Sequence, residues 1–373
     1  MKKVFWCTSC LAMSTRRRIT FNDSGQCNAC LWRVKKESLD WDKRLNELNS
    51  LLDKHRSSDG KFDCIVPVSG GKDGSYVAYN LKNKFGMNPL CVTVTPPLQL
   101  DLGKKNLESF IDSGFSVLTI NINPDSMRFF NTLGLKEIGF PYYGWLTAIQ
   151  TVPPSIALKY GINLIFYGED GEVEYGGSSQ TENNPIYNFE YMKEIYLENQ
   201  SYSSFNSMLQ KAKKKGMRDL DFFQFPINLS AKDLEITHWS YFENWDPYRN
   251  YLTAKEFCGL QENKIVNNGT FTNFAQNDQA LYALHTYLMY LKYGFGRANQ
   301  DASIEIRRGA MSREQGINLV KLYDGLFPDE YIDLYLDYYQ MDKKEFLDIL
   351  DSWANKDILE KVNNKWELKF EIK

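Results

Sequence analysis

The chain has 373 residues, of which 43% are hydrophobic, 14% aromatic and 24% charged. This composition is typical of a folded globular protein and excludes a disordered or fibrous one. The formal net charge of −3 disfavours a polyanion-binding surface, so we do not expect nucleic acid as a partner. The sequence has no run of about 18 apolar residues and no secretory leader, so we expect a cytoplasmic protein without a membrane span.

The first predicted unit, residues 1–36, is a four-cysteine module. Its cysteines form two C-x2-C pairs separated by sixteen residues, and they are Cys7, Cys10, Cys27 and Cys30. Two such pairs bring four thiolates to one tetrahedral point, which predicts a structural Zn²⁺ site. An iron–sulfur centre is the alternative. Four protein ligands leave no open position on the metal, so we expect this site to support folding and not catalysis.

The same module is strongly basic. It holds eight Lys or Arg and one acidic residue, and Arg16, Arg17 and Arg18 lie between the two cysteine pairs. One interpretation is a contact with nucleic acid or an acidic partner. The other, which we favour, is that the basic run balances a zinc–tetrathiolate centre, since a short charge run is usually a solvated face.

A connecting helix is predicted next, within residues 37–60. Ser38 is a candidate N-cap, and apolar side chains recur at helical spacing through about residue 55. The run of Ser57, Ser58, Asp59 and Gly60 then ends the helix.

Strands and helices alternate through residues 61–180. The predicted strands are 62–68, 89–94, 115–122 and 162–167, and helices are predicted after residue 71 and around 104–113, 124–135 and 144–160. Pro153 and Pro154 are expected to interrupt the last helix. Repeated β-α units predict an α/β fold with a parallel sheet and helices on both faces.

Residues 181–373 are predicted to be a mainly helical, substrate-binding C-terminal region. Segment 181–250 shows only an uncertain mix of helices and loops. Helices are indicated by two sets of regularly spaced apolar residues, namely Leu281, Leu284, Leu288 and Leu291, and Phe346, Leu350 and Trp353. From Trp366 to Ile372, apolar residues alternate with other, mostly charged, residues, which indicates a terminal strand.

A glycine-rich turn between the first strand and its helix is the main functional signal. The segment VPVSGGKDGSY spans 66–76. Its glycines let the backbone approach a ligand, and the turn's N–H groups with the helix N-terminus form an anion site. We expect the loop to contact ATP through Ser69, Gly70, Gly71, Lys72, Asp73, Gly74 and Ser75. A carboxylate beside phosphates requires a cation, so Asp73 is predicted to bind Mg²⁺.

The loop S-G-G-K-D-G-S resembles the pyrophosphate loop of the N-type ATP pyrophosphatases, in which serine usually stands at the place of Gly74. The resemblance implies ATP cleavage between the α- and β-phosphates, with transfer of AMP to a substrate oxygen. It also implies the strand order 3-2-1-4, with the end of the second strand (Thr93, Val94 and Thr95) beside the adenine.

That strand order places the acidic segment 167–177 opposite the glycine-rich turn. Glu169 and Asp170 are the first acidic residues after the fourth strand, and Glu169 is our choice for a second Mg²⁺ ligand and, with Lys72 and Asp73, for a catalytic residue. Glu172 is a candidate substrate contact; the alternative is a solvated acidic loop.

A later cluster holds Arg297, Arg307 and Arg308, whose forked guanidinium groups suit phosphate or carboxylate. These arginines are candidates for binding an anionic sugar nucleotide. The alternative is that they form surface salt bridges with Asp301 and Glu305.

Five features in order resemble the N-acetyl sugar amidotransferases of bacterial surface-polysaccharide (LPS O-antigen) and nonulosonic-acid synthesis. They are the four-cysteine module, the loop at 69–76, F-P-Y-Y-G-W at 140–145, Y-G-E-D-G-E at 167–172 and G-F-G-R-A-x-x-D-A-S-x-E-I-R-R-G at 294–309. The resemblance implies that an acetamido group of a nucleotide-activated sugar becomes an acetamidino group. ATP would adenylate the amide oxygen, and ammonia would displace AMP.

The source of the ammonia is expected to be separate. Residue 2 is lysine, and no cysteine lies in a recognisable glutaminase motif. The resemblance implies partner subunits similar to the glutaminase and cyclase subunits of imidazole glycerol phosphate synthase.

Two alternatives remain. A tRNA-thiolating enzyme would share the loop and the paired cysteines, but only Cys64, Cys91 and Cys258 remain for sulfur chemistry. The other alternative is a zinc-ribbon binding protein whose loop no longer binds nucleotide.

Overall fold

A six-stranded sheet is the centre of the molecule. The computed structural model describes residues 4–187, 189–198, 205–226 and 234–373. The strands of the sheet are β1 Cys64–Pro67, β2 Pro89–Val94, β3 Val117–Ile120, β4 Leu164–Tyr167, β5 Ile186–Tyr187 and β6 Glu235–His238. Their order is β3-β2-β1-β4-β6-β5, and all neighbours are parallel except β5 and β6. The predicted order 3-2-1-4 is confirmed, and β6 and β5 extend the sheet past residue 180.

Helices cover both faces of the sheet and form most of the C-terminal part. Those up to the end of the sheet are α1 Asn28–Lys36, α2 Trp41–His55, α3 Lys72–Asn83, α4 Asp101–Asp112, α5 Pro124–Ile138, α6 Tyr143–Tyr160, α7 Gly171–Tyr175, α8 Phe189–Met192 and α9 Phe205–Lys214. After the sheet come α10 Pro247–Cys258, α11 Leu281–Tyr293, α12 Arg297–Arg307, α13 Arg313–Tyr323, α14 Ile332–Tyr339 and α15 Lys343–Ser352. A hairpin of β7 Leu359–Val362 and β8 Lys365–Leu368 follows.

Successive side chains along each strand point to opposite faces of the sheet, and each face has its own hydrophobic core. On one face Ile65 and Ile165 pack in a cluster that includes residues of α5, α6 and α11. On the other face Val66 and Phe166 pack with residues of α2 and α3. Both faces are therefore buried, as in a doubly covered parallel sheet. The predicted α/β class, with its four-cysteine N-terminus and helical C-terminal region, is confirmed.

Helix α6 runs through Pro153 and Pro154, so the predicted interruption is wrong. Pro153 has no N–H to donate to the Ile149 carbonyl, and the Tyr167 hydroxyl donates to that carbonyl instead, at 3.3 Å. The helix is also buried along most of its length, so tertiary packing stabilises it despite the missing hydrogen bonds.

The N-cap of the connecting helix is Asp40 and not Ser38. Asp40 accepts a hydrogen bond of 2.8 Å from Lys43 N, whereas the Ser38 hydroxyl donates to Lys35 O at the end of α1. Both residues are good caps, and the sequence alone does not show that Ser38 is used by the preceding helix.

The C-terminal predictions hold in part. The two leucine- and aromatic-rich patterns correspond to α11 and α15, as predicted. The terminal strand is shorter than predicted, because β8 ends at Leu368 and Phe370 and Ile372 lie beyond it.

Candidate functional site

The glycine-rich turn joins β1 to α3 at the carboxyl edge of the sheet. Gly70 has φ of +81°, and a Cβ there would lie 2.5 Å from Leu107 N. Only glycine fits such a close approach with positive φ. Gly71 is the N-cap residue of α3, so the free N–H groups of the helix begin at the turn.

A cavity of about 340 Å³ opens above this turn. Its floor is residues 69–74, and Glu169 and Arg297 lie on its wall. Loop 272–278 and α12 close the other side. The structure therefore brings together six of the seven predicted loop residues, Glu169 and Arg297. A cavity of this size, at the switch point of a parallel sheet, is typical of a nucleotide or cofactor site.

Two carboxylates line this cavity, Asp73 at the start of α3 and Glu169 in the loop after β4. Asp73 Oδ2 contacts Lys72 Nζ, and Tyr175 Oη lies 3.4 Å from Glu169 Oε1. Burial, and then the negative charge of Asp73, raise the pKa of Glu169 to about 7, while Lys72 and Arg297 oppose the shift. The pair is thus under electrostatic strain that a cation relieves.

These residues fit Mg²⁺. The ion prefers carboxylate and phosphate oxygens, and Asp73 and Glu169 would hold it in the cavity that the anion-binding turn also lines. Burial, and then Asp73, raise the pKa of Glu169 even though Lys72 pairs with Asp73, so a further cation is compatible with the site.

A residue that the sequence did not single out also reaches Asp73. Asn250, on α10, is fully buried and donates from Nδ2 to Asp73 Oδ1 at 3.2 Å. Its Oδ1 has no hydrogen-bond partner within the described part of the chain. No motif surrounds Asn250, and only the packing of α10 on α3 brings it to the site.

Three predicted nucleotide contacts lie outside the cavity lining. Ser75 is fully buried, and its Oγ has no partner among the described residues. The Val94 carbonyl accepts from Trp145 Nε1 at 3.0 Å, and Thr95 Oγ1 donates to Asn121 Oδ1 at 2.6 Å.

The predicted substrate residues lie in three different places. Arg297 lines the cavity and is paired with Asp301 at 2.8 Å. Glu172 is outside it, held by Arg18 at 2.6 Å. Arg307 and Arg308 line a second cavity, described below.

The four N-terminal cysteines converge as predicted. Their Sγ atoms all lie within 4.8 Å of one another and are buried. Backbone N–H groups point at the sulfurs, including Cys27 N at 3.2 Å from Cys7 Sγ and Ala12 N at 3.4 Å from Cys10 Sγ. N–H donors around four clustered sulfurs suit thiolates bound to one metal ion, so the residues fit Zn²⁺.

The basic run binds the acidic loop, in contrast to the interpretation that we favoured. Arg18 forms two hydrogen bonds with Glu172, and Arg16 Nε donates to Gly176 O at 3.2 Å. A cation that does lie next to the sulfurs is Arg307, from α12, whose NH1 is 3.6 Å from Cys10 Sγ. The acidic loop after β4 therefore contacts the cysteine module. The alternative interpretation of this segment as a solvated loop is wrong.

Two further contacts fix the module to that loop. Glu174 accepts hydrogen bonds of 2.8 Å from both Trp32 and Lys36, and all three residues are buried. Asp170 caps α7 through Glu172 N and Val173 N, so its carboxylate serves the helix and not the cavity.

A comparison with protein families matches residues 268–373 to the C-terminal domain of WbpG-like LPS biosynthesis proteins. The match covers less than a third of the chain. The resemblance to proteins of surface-polysaccharide synthesis that the sequence indicated is confirmed for this segment. Residues 268–373 supply Asp278, Tyr282 and Arg297 to the cavity, so the matched segment forms a wall of the candidate site.

Other comparisons are more distant. An uncharacterized protein of Methanocaldococcus jannaschii, MJ1599, is 35% identical over 89 residues, which are 24% of this chain and 32% of that protein. The chain thus matches about a third of the length of this curated relative.

Two solved structures are similar at 12% identity. The U34-tRNA thiolase NcsA from Methanococcus maripaludis with its [4Fe-4S] cluster has a TM-score of 0.30, over 72% of this chain and 79% of that one. NMN synthetase from Francisella tularensis has a TM-score of 0.28, over 61% of this chain and 90% of that one. Likenesses this distant carry no argument about activity.

A search of the described residues for a helix that is both long and apolar enough to cross a membrane finds none.

Proposed function

We propose that the chain is an ATP-dependent amidotransferase that converts an acetamido group of a nucleotide-activated sugar into an acetamidino group. The observation that carries the proposal is the meeting of an anion-binding turn, residues 69–74, with Asp73 and Glu169 in one cavity. The WbpG-like domain in the cavity wall supports a role in LPS or related polysaccharide synthesis.

The first step follows from the chemistry of the turn. Its N–H groups and Lys72 would bind the β- and γ-phosphates, which places the α-phosphorus toward the open part of the cavity. The substrate's amide oxygen would attack that phosphorus while the amide N–H proton passes to water and the bond to pyrophosphate breaks. The products are an O-adenylated imidate and pyrophosphate, which the turn retains during cleavage.

Asp73 and Glu169 would hold Mg²⁺, which when bound neutralises charge on the phosphate oxygens and on the departing pyrophosphate. Asn250 fixes the orientation of the Asp73 carboxylate through its hydrogen bond to Oδ1. Arg297 adds positive charge at the opposite wall, close to where phosphate oxygens would lie.

In the second step ammonia would attack the imidate carbon. AMP would leave with the former amide oxygen, giving the amidine. An amide oxygen is a poor leaving group, whereas a phosphate ester oxygen leaves readily, and this difference is the reason for spending ATP on the reaction. We propose that separate glutaminase and cyclase-like subunits supply the ammonia.

The test is a reaction of the purified chain with ATP, Mg²⁺, ammonia and a panel of acetamido sugar nucleotides, followed by mass spectrometry. The proposal expects AMP, pyrophosphate and a slightly lighter, more basic sugar product. Ammonia should support the reaction and glutamine should not. Formation of ADP, or glutamine-dependent turnover by the isolated chain, would contradict it.

The second candidate, tRNA thiolation, is disfavoured by the cysteines. All seven are at described positions, and none lines the cavity. Cys64, Cys91 and Cys258 are buried in the core behind β1 and α3, and burial raises the pKa of Cys258 to about 11. Reactive sulfur chemistry requires accessible thiolates, which these residues do not provide. Assay of sulfur incorporation into tRNA tests this candidate directly.

A further inference from the structure

A second cavity, also of about 340 Å³, lies between the cysteine module, segment 244–247 and α12. Residues of α1 form one side, the segment 244–247 forms another, and the end of α12 with Arg308 forms a third. Tyr175, Pro247 and Ile304 line both this cavity and the one above the glycine-rich turn. The two cavities are therefore neighbours that share a wall.

Size indicates that the proposed reaction needs both cavities. Binding sites for single small ligands are typically about 300–1,000 Å³. Each cavity here is at the low end of that range, so a single cavity is too small for ATP and a sugar nucleotide together. The anion-binding turn assigns ATP to the first cavity and leaves the second for another ligand.

Aromatic surface is the first chemical property of the second cavity. The indoles of Trp32, Trp41 and Trp245 all line it. Trp245 is only 6% exposed, and its Nε1 has no hydrogen-bond partner among the residues described. A buried donor without an acceptor is costly, so this N–H favours a ligand that carries an oxygen acceptor. Flat indole faces suit the stacking of a nucleobase or a sugar ring.

Positive charge is the second property. Arg33, Lys36, Arg307 and Arg308 line the cavity against three acidic side chains, and Lys36 is already neutralised by its buried ion pair with Glu174. Within the described ranges no carboxylate pairs with Arg307, and its NH1 instead faces Cys10 Sγ. Arg33 and Arg308 have partners in exposed or half-exposed ion pairs, at 3.2 Å and at 2.7–3.5 Å. Such pairs are weak, so a phosphate group can compete for these guanidinium groups at little cost.

We infer that the second cavity is the acceptor site, and that it binds the nucleoside diphosphate part of the activated sugar. This inference rests on the proposed function and adds where the substrate binds. Base and diphosphate occupy the space between α1 and the end of α12, and the acetamido group points across the shared wall toward the α-phosphate of ATP. The cysteine module is then part of the substrate site, because α1 begins at the residue after Cys27.

The test is isothermal titration of the full chain with UDP, after saturation with Mg²⁺ and an α,β-methylene analogue of ATP. UDP should bind to the chain already loaded with the analogue. Arg33→Ala and Arg308→Ala should each raise the Kd for UDP about tenfold, as expected for loss of a charge-assisted hydrogen bond. Neither change should move the Kd of the ATP analogue, which also reports that the variants are folded.

Lys35→Ala is the matched control. Lys35 is on the same turn of α1 as Arg33, is similarly exposed and forms one ion pair, with Glu182, but it does not line the cavity. This change should leave both Kd values unaltered. Competition between UDP and the ATP analogue, absence of UDP binding, or equal effects of Lys35→Ala and Arg33→Ala would each overturn the inference.

Failure of the proposed function has a different signature. Lys72→Ala should weaken binding of the ATP analogue and leave UDP binding unchanged. If the analogue does not bind the wild-type chain at all, the proposed function fails, whatever UDP does.

Discussion

Asn250 Nδ2 lies 3.2 Å from Asp73 Oδ1, although 177 positions separate the two residues in the chain. The contact exists because α10 packs on α3, beside the turn that begins that helix. Asn250 is fully buried, so its amide cannot exchange this hydrogen bond for one with bulk water. The orientation of the predicted Mg²⁺ ligand is therefore determined by a helix outside the predicted 61–180 domain.

The first prediction concerns this pair. Asn250→Leu keeps the approximate shape of the side chain but removes the donor to Asp73. We expect pyrophosphate release to fall by about tenfold or more, and half-maximal activity to need more Mg²⁺, because the Asp73 carboxylate loses the hydrogen bond that orients it. Asn83→Leu, at the exposed end of α3, is the control. An unchanged Mg²⁺ dependence in Asn250→Leu would show that Asn250 has no role at the site.

The second prediction concerns pH. Burial and the charge of Asp73 raise the pKa of Glu169 to about 7, so below that pH the free protein holds a proton where Mg²⁺ would bind. As the pH is raised towards 7, the apparent affinity for Mg²⁺–ATP should increase about tenfold per pH unit, and above pH 7 it should be constant. Glu169→Gln should weaken binding and remove most of this dependence. Titration of nucleotide binding from mildly acid to mildly alkaline pH measures both, and a flat wild-type profile would exclude Glu169 as a ligand.

The same shift predicts the sign of a stability change. The pKa of Glu169 is raised from its ordinary value of 4.5 to about 7 in the folded state, so between pH 4.5 and 7 the folded chain binds a proton that the unfolded chain does not. The contribution of this proton to the free energy of unfolding is fully present below about pH 4.5 and is lost as the pH rises through about 7. Glu169→Gln should therefore reduce the pH dependence of the unfolding free energy in this window. Urea unfolding at several pH values tests it, and an identical pH dependence in the two proteins would contradict it.

The third prediction concerns Gly74, which stands where the ATP pyrophosphatase pattern usually has serine. A Cβ at this position would lie 2.8 Å from the Pro67 carbonyl oxygen and 3.1 Å from Val68 Cα. Gly74→Ser should destabilise the chain by about 1–3 kcal/mol, because β1 and α3 must move apart. Gly171→Ala is the control, since its nearest new contact is an ordinary 3.6 Å. Urea unfolding compares the two, and equal stability would show that the turn has room for a side chain.

The fourth prediction concerns the cysteine cluster. We expect one zinc ion for each chain by elemental analysis, and no visible absorption of the kind that iron–sulfur centres give. Cys10→Ser should lose the metal and expose residues 4–36 to protease, because the bound metal supplies much of the folding energy of such small modules. An iron–sulfur spectrum, or a metal-free module that resists protease, would contradict the assignment.

The repeating β-α pattern predicts the sheet well, because its strands are short, buried runs with clear turn signals. Observed β2 has the predicted bounds, and β4 differs from its prediction by two residues at its start. Strand β6 was missed because only four residues, Glu235–His238, contribute to it, and no periodicity precedes them. The continuity of α6 through Pro153 is not predictable from the local sequence, because the hydroxyl that donates to the Ile149 carbonyl in place of the missing N–H belongs to Tyr167, on β4.

Local motifs predict only those parts of a site whose residues follow neighbouring strands of the sheet. The turn at 69–74 and Glu169 come together because they follow neighbouring strands. Glu172 and Arg307 were chosen for their charge, but charge does not say which partner a side chain meets. One pairs with Arg18, and the other lies against a cysteine of the module. Asn250 has no local signal and is found only from the fold.

The fate of the amide oxygen is the most direct test of the central claim. The substrate would be an acetamido sugar nucleotide with heavy oxygen in the acetamido carbonyl, incubated with ATP, Mg²⁺, ammonia and the chain. Mass spectrometry should find the label in AMP, with unlabelled pyrophosphate and an amidine that has lost it. Label that remains on the sugar while ATP is consumed, or that enters inorganic phosphate with formation of ADP, would contradict adenylation of the amide at this site.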